Sequence, residues 1–134
     1  MVWDGSLARG SGALSSGSGA LGGLPVTWAA RTEAPEGKRS PEELIAAAHA
    51  ACFSMALSSG LAKAGTPPDE LNTSATVTFQ PGEGITKIAL TVEGSVPGLD
   101  DAAFQEAAKT AKENCPVSKA LAAVPEITLD ARLR

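Results

Sequence analysis

The sequence predicts an α+β fold, and three patterns carry the prediction. A long Ala-rich segment with a strong helix-start signal lies in the first half of the chain. Alternating apolar segments flank it on both sides, and a second helical segment separates the last two of them. With 134 residues, the chain reads as one domain, residues 1–134. A domain of this size buries only about two-thirds of its unfolded surface, which is marginal for a lone domain.

Each element follows from local signals. Val2-Trp3 precedes Asp4-Gly5, a turn signal between short strands. Ser11 to Gly23 is rich in Gly and Ser, yet Leu14, Leu21, Leu24 and Val26 recur at near-even spacing, so turns and weak strands are expected. Leu24 to Ala30 reads as a strand leading to Arg31, and Thr32 to Arg39 as a loop. Ser40-Pro41-Glu42-Glu43 is a helix start, with Ser40 at the N-cap, Pro41 at the first helical position and Glu43 completing a capping box. This helix is expected to run to about Leu61 or Lys63, stop near Gly65-Thr-Pro-Pro68 and be buried nearly all round, because apolar residues fill most of its surface. Leu71–Phe79 and Ile85–Val96 read as strands joined at Gln80–Gly84. Asp100 caps a helix whose residues Phe104, Ala107, Ala108, Ala111 and Cys115 share a face. Pro116 breaks it and starts a short helix through about Ala123. Ile127, Leu129, Ala131 and Leu133 alternate with polar residues in a final strand. The order is β-β-(β)-α-β-β-α-α-β.

Composition narrows function. A net charge of −4 and a pI near 4.9 argue against nucleic acid or an anionic membrane surface as partner. No apolar run is expected to reach the roughly 20 residues of a membrane span. The first residues lack the basic and apolar regions of a signal peptide, so a cytoplasmic protein is expected. The two cysteines, Cys52 and Cys115, stand on separate helices. In a reducing compartment such a pair is more often catalytic, sensing or metal-bound than structural. His49 and Cys52 share an i,i+3 spacing that can bind metal, but zinc wants three or four ligands and no CxxC accompanies them. A packed helix histidine bonded to backbone or solvent is the favoured reading. The charged residues at 106, 109, 112 and 113 form a solvated helix face.

Pro41-Glu-Glu-Leu-Ile-Ala-Ala-Ala-His-Ala-Ala-Cys-Phe-Ser-Met-Ala-Leu57 and Cys115-Pro-Val-Ser118 resemble the OsmC/Ohr family of thiol-dependent hydroperoxide reductases, the OsmC branch more than the Ohr branch. Trp3-Asp-Gly5, Ile85–Leu90, Val96-Pro-Gly98 and Glu126–Asp130 extend the similarity nearly end to end. The resemblance implies an intertwined homodimer whose central helices are wrapped by antiparallel sheets. It implies a cytoplasmic, cofactor-free enzyme of oxidative or osmotic stress that reduces organic hydroperoxides to alcohols. Non-catalytic ligand or partner binding on the same fold is the alternative.

The chemistry needs a thiolate, and a free cysteine is only a few per cent ionised at neutral pH. Cys52 lies about three turns inside its helix, beyond reach of the N-terminal dipole, so a cation must activate it. Arg31 is the leading candidate and Arg39 the competitor. The resemblance assigns this role to an arginine matching Arg31, held by a glutamate matching Glu42. It implies that peroxide oxidises Cys52 to a sulfenic acid, that Cys115 condenses with it to a Cys52–Cys115 disulfide, and that an external lipoyl-type dithiol regenerates the thiols. Glu42 and Cys52 are ten residues apart on one helix, about 15 Å along its axis. If Glu42 orients an arginine beside Cys52, it must come from the other subunit, giving a composite site. Ala residues, Phe53, Met55, Leu57, Phe104 and Val117 are expected around the sulfur, a wall suited to an apolar peroxide tail.

Overall fold

The computed structural model describes residues 1–33 and 37–134. Its elements are β1 (Val2–Asp4), β2 (Ser11–Leu14), β3 (Leu24–Val26), α1 (Ala29–Thr32), α2 (Pro41–Lys63), β4 (Glu70–Gln80), β5 (Gly84–Ser95), α3 (Asp101–Asn114), α4 (Pro116–Ala120) and β6 (Glu126–Leu133). The α+β class and, apart from the added α1, the element order agree with the sequence pattern. Part of the expected Thr32–Arg39 loop, residues 34–36, lies outside the described residues.

β1, β2 and β3 form one antiparallel sheet. The third strand is shorter than expected: Leu24–Ala30 does not stay extended to Arg31. The Thr27 hydroxyl accepts from the Ala30 amide at 3.2 Å, which starts the α1 turn and places Arg31 on a helix instead of a strand.

The second sheet has the order β4-β5-β6. β4 and β5 are antiparallel, with Thr73 opposite Val92 and Ala75 opposite Leu90. β5 and β6 are parallel, with Leu90 opposite Leu129. The sheet is therefore mixed rather than wholly antiparallel. The crossover through α3 and α4 returns the chain to the same end of the sheet, which a hairpin cannot do.

α2 starts as its sequence dictates. The Ser40 side chain accepts from the Glu43 amide at 3.1 Å, and Pro41 occupies the first turn. Past its end, Gly65 adopts φ +87, a left-handed conformation that glycine enters without steric cost. Asp100 caps α3 by accepting from Ala103 at 2.8 Å. Phe53, Leu57 and Leu61 of α2, Leu90 and Val92 of β5, and Phe104, Ala108 and Ala111 of α3 make the core, with Cys115 beside them. Gly94 admits the Phe104 ring: a Cβ there would lie 2.5 Å from Phe104 Cε2 and Cζ.

Two expectations about α2 fail. The helix is not buried all round in the single chain. His49, Phe53, Leu57 and Leu61 bury one stripe, whereas Ala47, Ala48 and Ala51 are exposed and Met55 is 72% exposed. An apolar helix with one partner surface covers only one side. Nor is the chain without a long apolar helix: Pro41–Lys63 has 23 residues and holds an 18-residue window of mean hydropathy 1.5, long and apolar enough to cross a membrane by length and composition. Of its large side chains, Phe53, Leu57 and Leu61 face protein core. The first sheet and the segments beside its strands also leave apolar groups exposed, among them Met1, Val2, Trp3, Leu7 and Leu21.

Candidate active site

Two pairs of sequence-predicted residues come together, at different levels of α2. Near its start, Arg31 meets Glu42. The Arg31 Nε donates to Glu42 Oε1 at 2.9 Å, and Nη2 lies 2.8 Å from the same oxygen. Glu42 is buried, and its Oε2 has no partner among the described residues. Such a carboxylate needs a cation, since burying an unpaired charge is costly. Arg39 does not serve: its Nη1 donates to the Gly37 carbonyl at 2.9 Å.

Two aromatic residues that sequence reasoning missed fix the guanidinium. Its carbon sits 4.0 Å from the Phe79 ring centroid and 5.7 Å from that of Trp28. The two rings meet edge to face at 6.0 Å. Trp28 could have been found from its i,i−3 spacing to Arg31 on a helical turn. Phe79 carried no such signal, because it arrives from β4. A cleft of about 460 Å³ beside this pair is lined by Arg31, Glu42, Ala46, Ala75 and Phe79 among others.

Ten residues further along α2, Cys52 meets Cys115, which ends α3 and precedes α4. Both thiols are free; Cys52 is half-buried and Cys115 fully buried. They titrate as a pair. Burial pushes the Cys115 thiol up, but the Ser118 N–H, the Cys52 thiol, the Ser118 hydroxyl and the Val117 N–H outweigh it, and Cys115 ionises below its ordinary range. For Cys52, the Val117 N–H favours the thiolate. The hydrogen bond to Cys115, burial and charge on the neighbouring sulfur together push it up instead. In the single chain the thiolate is thus favoured on Cys115, with Cys52 as the donor. Arg31 is not among the groups acting on Cys52.

The wall around Cys52 differs in one member from expectation. Phe53, Leu57, Phe104 and Val117 lie in or against the core cluster, but Met55 faces outward. Residues 53 and 57 share the inner stripe of the helix, whereas Met55 lies about 180° from that stripe's mean direction. His49 is a packed helix histidine, but its partner is neither backbone nor solvent: its Nε2 lies 2.7 Å from the buried Ser118 Oγ. Burial pushes its pKa down and keeps it neutral. Among the described residues no three His, Cys, Asp or Glu side chains gather into a group that could hold a metal ion.

A family model described as "OsmC-like protein" matches residues 34–130. Peroxiredoxin OsmC of Escherichia coli (strain K12) is 47% identical over 135 residues, covering 98% of this chain and 92% of that protein. A protein of the same name from Shigella flexneri matches to the same extent. The organic hydroperoxide resistance protein OhrB of Bacillus subtilis has a solved structure that matches with a TM-score of 0.67 at 27% identity, over 99% of this chain and 95% of that one. An organic hydroperoxide resistance protein from Elizabethkingia anophelis shares the fold, with a TM-score of 0.74 at 24% identity and coverage of 99% and 94%.

Proposed function

The chain belongs to the OsmC family, and from that membership we propose that it is a peroxidase reducing organic hydroperoxides to alcohols with its own cysteine pair. The observation that carries the reading is the meeting of two free thiols from separate helices, one half-buried and one fully buried. Cys52, the less buried of the two, is the one a peroxide can reach. Its thiolate attacks the peroxide oxygen, breaking the O–O bond. Sulfur gives up two electrons and becomes a sulfenic acid, and the departing alkoxide takes up a proton from solvent and leaves as the alcohol. Cys115 then attacks the Cys52 sulfur, forming the disulfide and releasing water. An external dithiol, lipoyl-type in this proposal, reduces the disulfide by exchange, and no bound cofactor takes part.

Cys52 needs a cation, and none of the described residues of its own chain brings one to it. We therefore assign activation to the Arg31–Glu42 pair of a second copy, in a cytoplasmic homodimer with composite sites. The cleft beside that pair and the exposed Ala47, Ala48, Ala51 and Met55 face support this assignment. Apolar neighbours of Cys52 favour an alkyl or aryl peroxide over hydrated hydrogen peroxide.

Free-thiol titration after one equivalent of cumene hydroperoxide tests the reading. Wild type is expected to lose both thiols, and Cys52→Ser to keep Cys115 reduced. Retention of both thiols in wild type would sink the peroxidase. Turnover of hydrogen peroxide as fast as cumene hydroperoxide would refute the substrate preference alone.

A further inference from the structure

His49 and Ser118 are polar, buried and used by no step above. They lie 69 residues apart in sequence and join α2 to α4 at the back of the cysteine pair. His49 is 0% exposed, with Nε2 2.7 Å from Ser118 Oγ and Nδ1 without a partner among the described residues. Ser118 follows Cys115 by three residues, one helical turn, and its hydroxyl and amide are among the groups that hold the Cys115 pKa down.

We propose that His49 is a positioning residue for the resolving thiol: its Nε2–H donates to Ser118 Oγ and so directs the Ser118 hydroxyl hydrogen onto the Cys115 sulfur. The tautomer follows from the unmatched nitrogen. A neutral imidazole with one partner strands either an N–H or a lone pair. As for buried backbone groups, an orphaned N–H is the rarer outcome. The hydrogen therefore sits on Nε2, and Nδ1 keeps the lone pair. Ser118 Oγ then accepts from His49, and its single hydrogen is free for sulfur. Were the tautomer reversed, that hydrogen would be spent on His49 and Cys115 would lose a donor.

The groups that face Cys115 are few. Cys52 comes from α2, and the Ser118 hydroxyl and the Val117 and Ser118 amides from α4. From α3 and the sheet, the surrounding cluster is apolar: Phe104, Ala108, Ala111, Leu90 and Val92. No charged side chain is among the groups acting on Cys115. The hydroxyl is thus one of a small set of donors that favour the thiolate against burial.

The consequence rests on the peroxidase reading and falls on one step. Cys115 ionises by releasing its proton to solvent through the Cys52 side. Its thiolate attacks the Cys52 sulfenic sulfur, the S–S bond forms, the S–O bond breaks, and the leaving hydroxide takes up a proton as water. Holding the thiolate on Cys115 assists this step. It does not assist the peroxide step, in which Cys52 must carry the charge.

The test separates the hydrogen bond from the turnover. In a Cys52→Ser background, thiolate ultraviolet absorbance against pH reads the ionisation of Cys115 directly. Adding His49→Leu or Ser118→Ala is expected to move the midpoint up by about one pH unit, the loss of one hydrogen bond to a charged sulfur. His49→Gln, whose amide N–H reaches the same place as Nε2–H, is expected to leave it unmoved. With both cysteines present, His49→Leu and Ser118→Ala should slow disulfide formation about threefold. Thiolate falls about tenfold and nucleophilicity recovers about threefold. The sulfenic acid, trapped by dimedone, should accumulate while the peroxide step keeps its rate. Ser118→Ala carries the test alone if His49→Leu fails to fold. An unmoved midpoint in Ser118→Ala, or the same rise in His49→Gln as in His49→Leu, would overturn the proposal. If wild type loses no thiol to peroxide, the peroxidase reading fails, and the ionisation curves still decide the hydrogen-bond chain.

Discussion

Consider a heterodimer built from one Arg31→Gln chain and one Cys52→Ser chain. In the structure Arg31 is bound to Glu42 of its own chain, and Glu42 stands ten residues before Cys52 on α2. That is about 15 Å of helix rise. At this range a full charge contributes about 1 kcal/mol at an effective dielectric constant of about 20, before screening. Glu42 cancels much of it, and the separation exceeds the roughly 8 Å Debye length at physiological salt. At about 4 Å the same charge is worth about 4 kcal/mol, about three pKa units of thiolate stabilisation. Activation therefore requires contact, which the proposed second copy supplies. In a two-fold dimer the mixed pair rebuilds one site, with Cys52 from the first chain and Arg31 from the second, and destroys the other. The doubly tagged heterodimer, co-expressed and purified through both tags, is expected to show about half of wild-type cumene hydroperoxide turnover. Each mutant homodimer should stay near background. Self-contained sites would leave the heterodimer as inactive as the homodimers, and that result would refute the composite arrangement.

Other outcomes follow from single contacts. Gly94→Ala places a methyl 2.5 Å from the buried Phe104 ring, and should cost about 1–3 kcal/mol and lower the melting temperature by several degrees in a thermal scan. Phe79→Leu removes the ring 4.0 Å from the Arg31 guanidinium, and should slow the peroxide step about fivefold in stopped-flow assays without unfolding the chain. Burial holds the His49 pKa below its unfolded value of about 6.5, so the unfolded chain binds more protons at mildly acidic pH. Stability should then fall as pH drops through about 6.5, and His49→Gln should flatten that slope between melts at about pH 7.5 and about pH 5.5.

The parts legible in the sequence are those whose causes are local. Ser40 and Asp100 cap the helices they were read to cap, because an N-cap needs only a side-chain oxygen and an amide three residues on. β4, β5 and β6 show their alternation because one face of the sheet meets helices. The four-residue α1 was missed, since a single Thr27 hydroxyl decides between strand and turn. The parallel direction of β6 was not legible either: strand direction depends on where α3 and α4 leave the chain, not on strand composition. At the site, Cys52 and Cys115 announced themselves by rarity. The partnership of His49 with Ser118 could not, because no local spacing links residues so far apart. Phe79 over Arg31 is hidden for the same reason.

Three separate features bear on one requirement. Cys52, the sulfur a peroxide can reach, is the one whose thiolate the single chain disfavours. Arg31, a cation already fixed by Glu42, Phe79 and Trp28, is held at the start of α2, too far from Cys52 to correct this within its own chain. The alanine face of α2, with Met55, is apolar yet exposed, and covering it offers a hydrophobic gain of about 25 cal/mol per Å². A second copy laid on that face would answer all three: it covers the alanines, brings its own held arginine to Cys52 and moves the shared proton from Cys52 towards Cys115. After oxidation the demand reverses, because Cys115 must then give up that proton to attack. The Ser118 hydroxyl, oriented by His49, is placed to favour this second state. On this reading the arginine and the histidine act on opposite ends of one proton equilibrium, in successive steps.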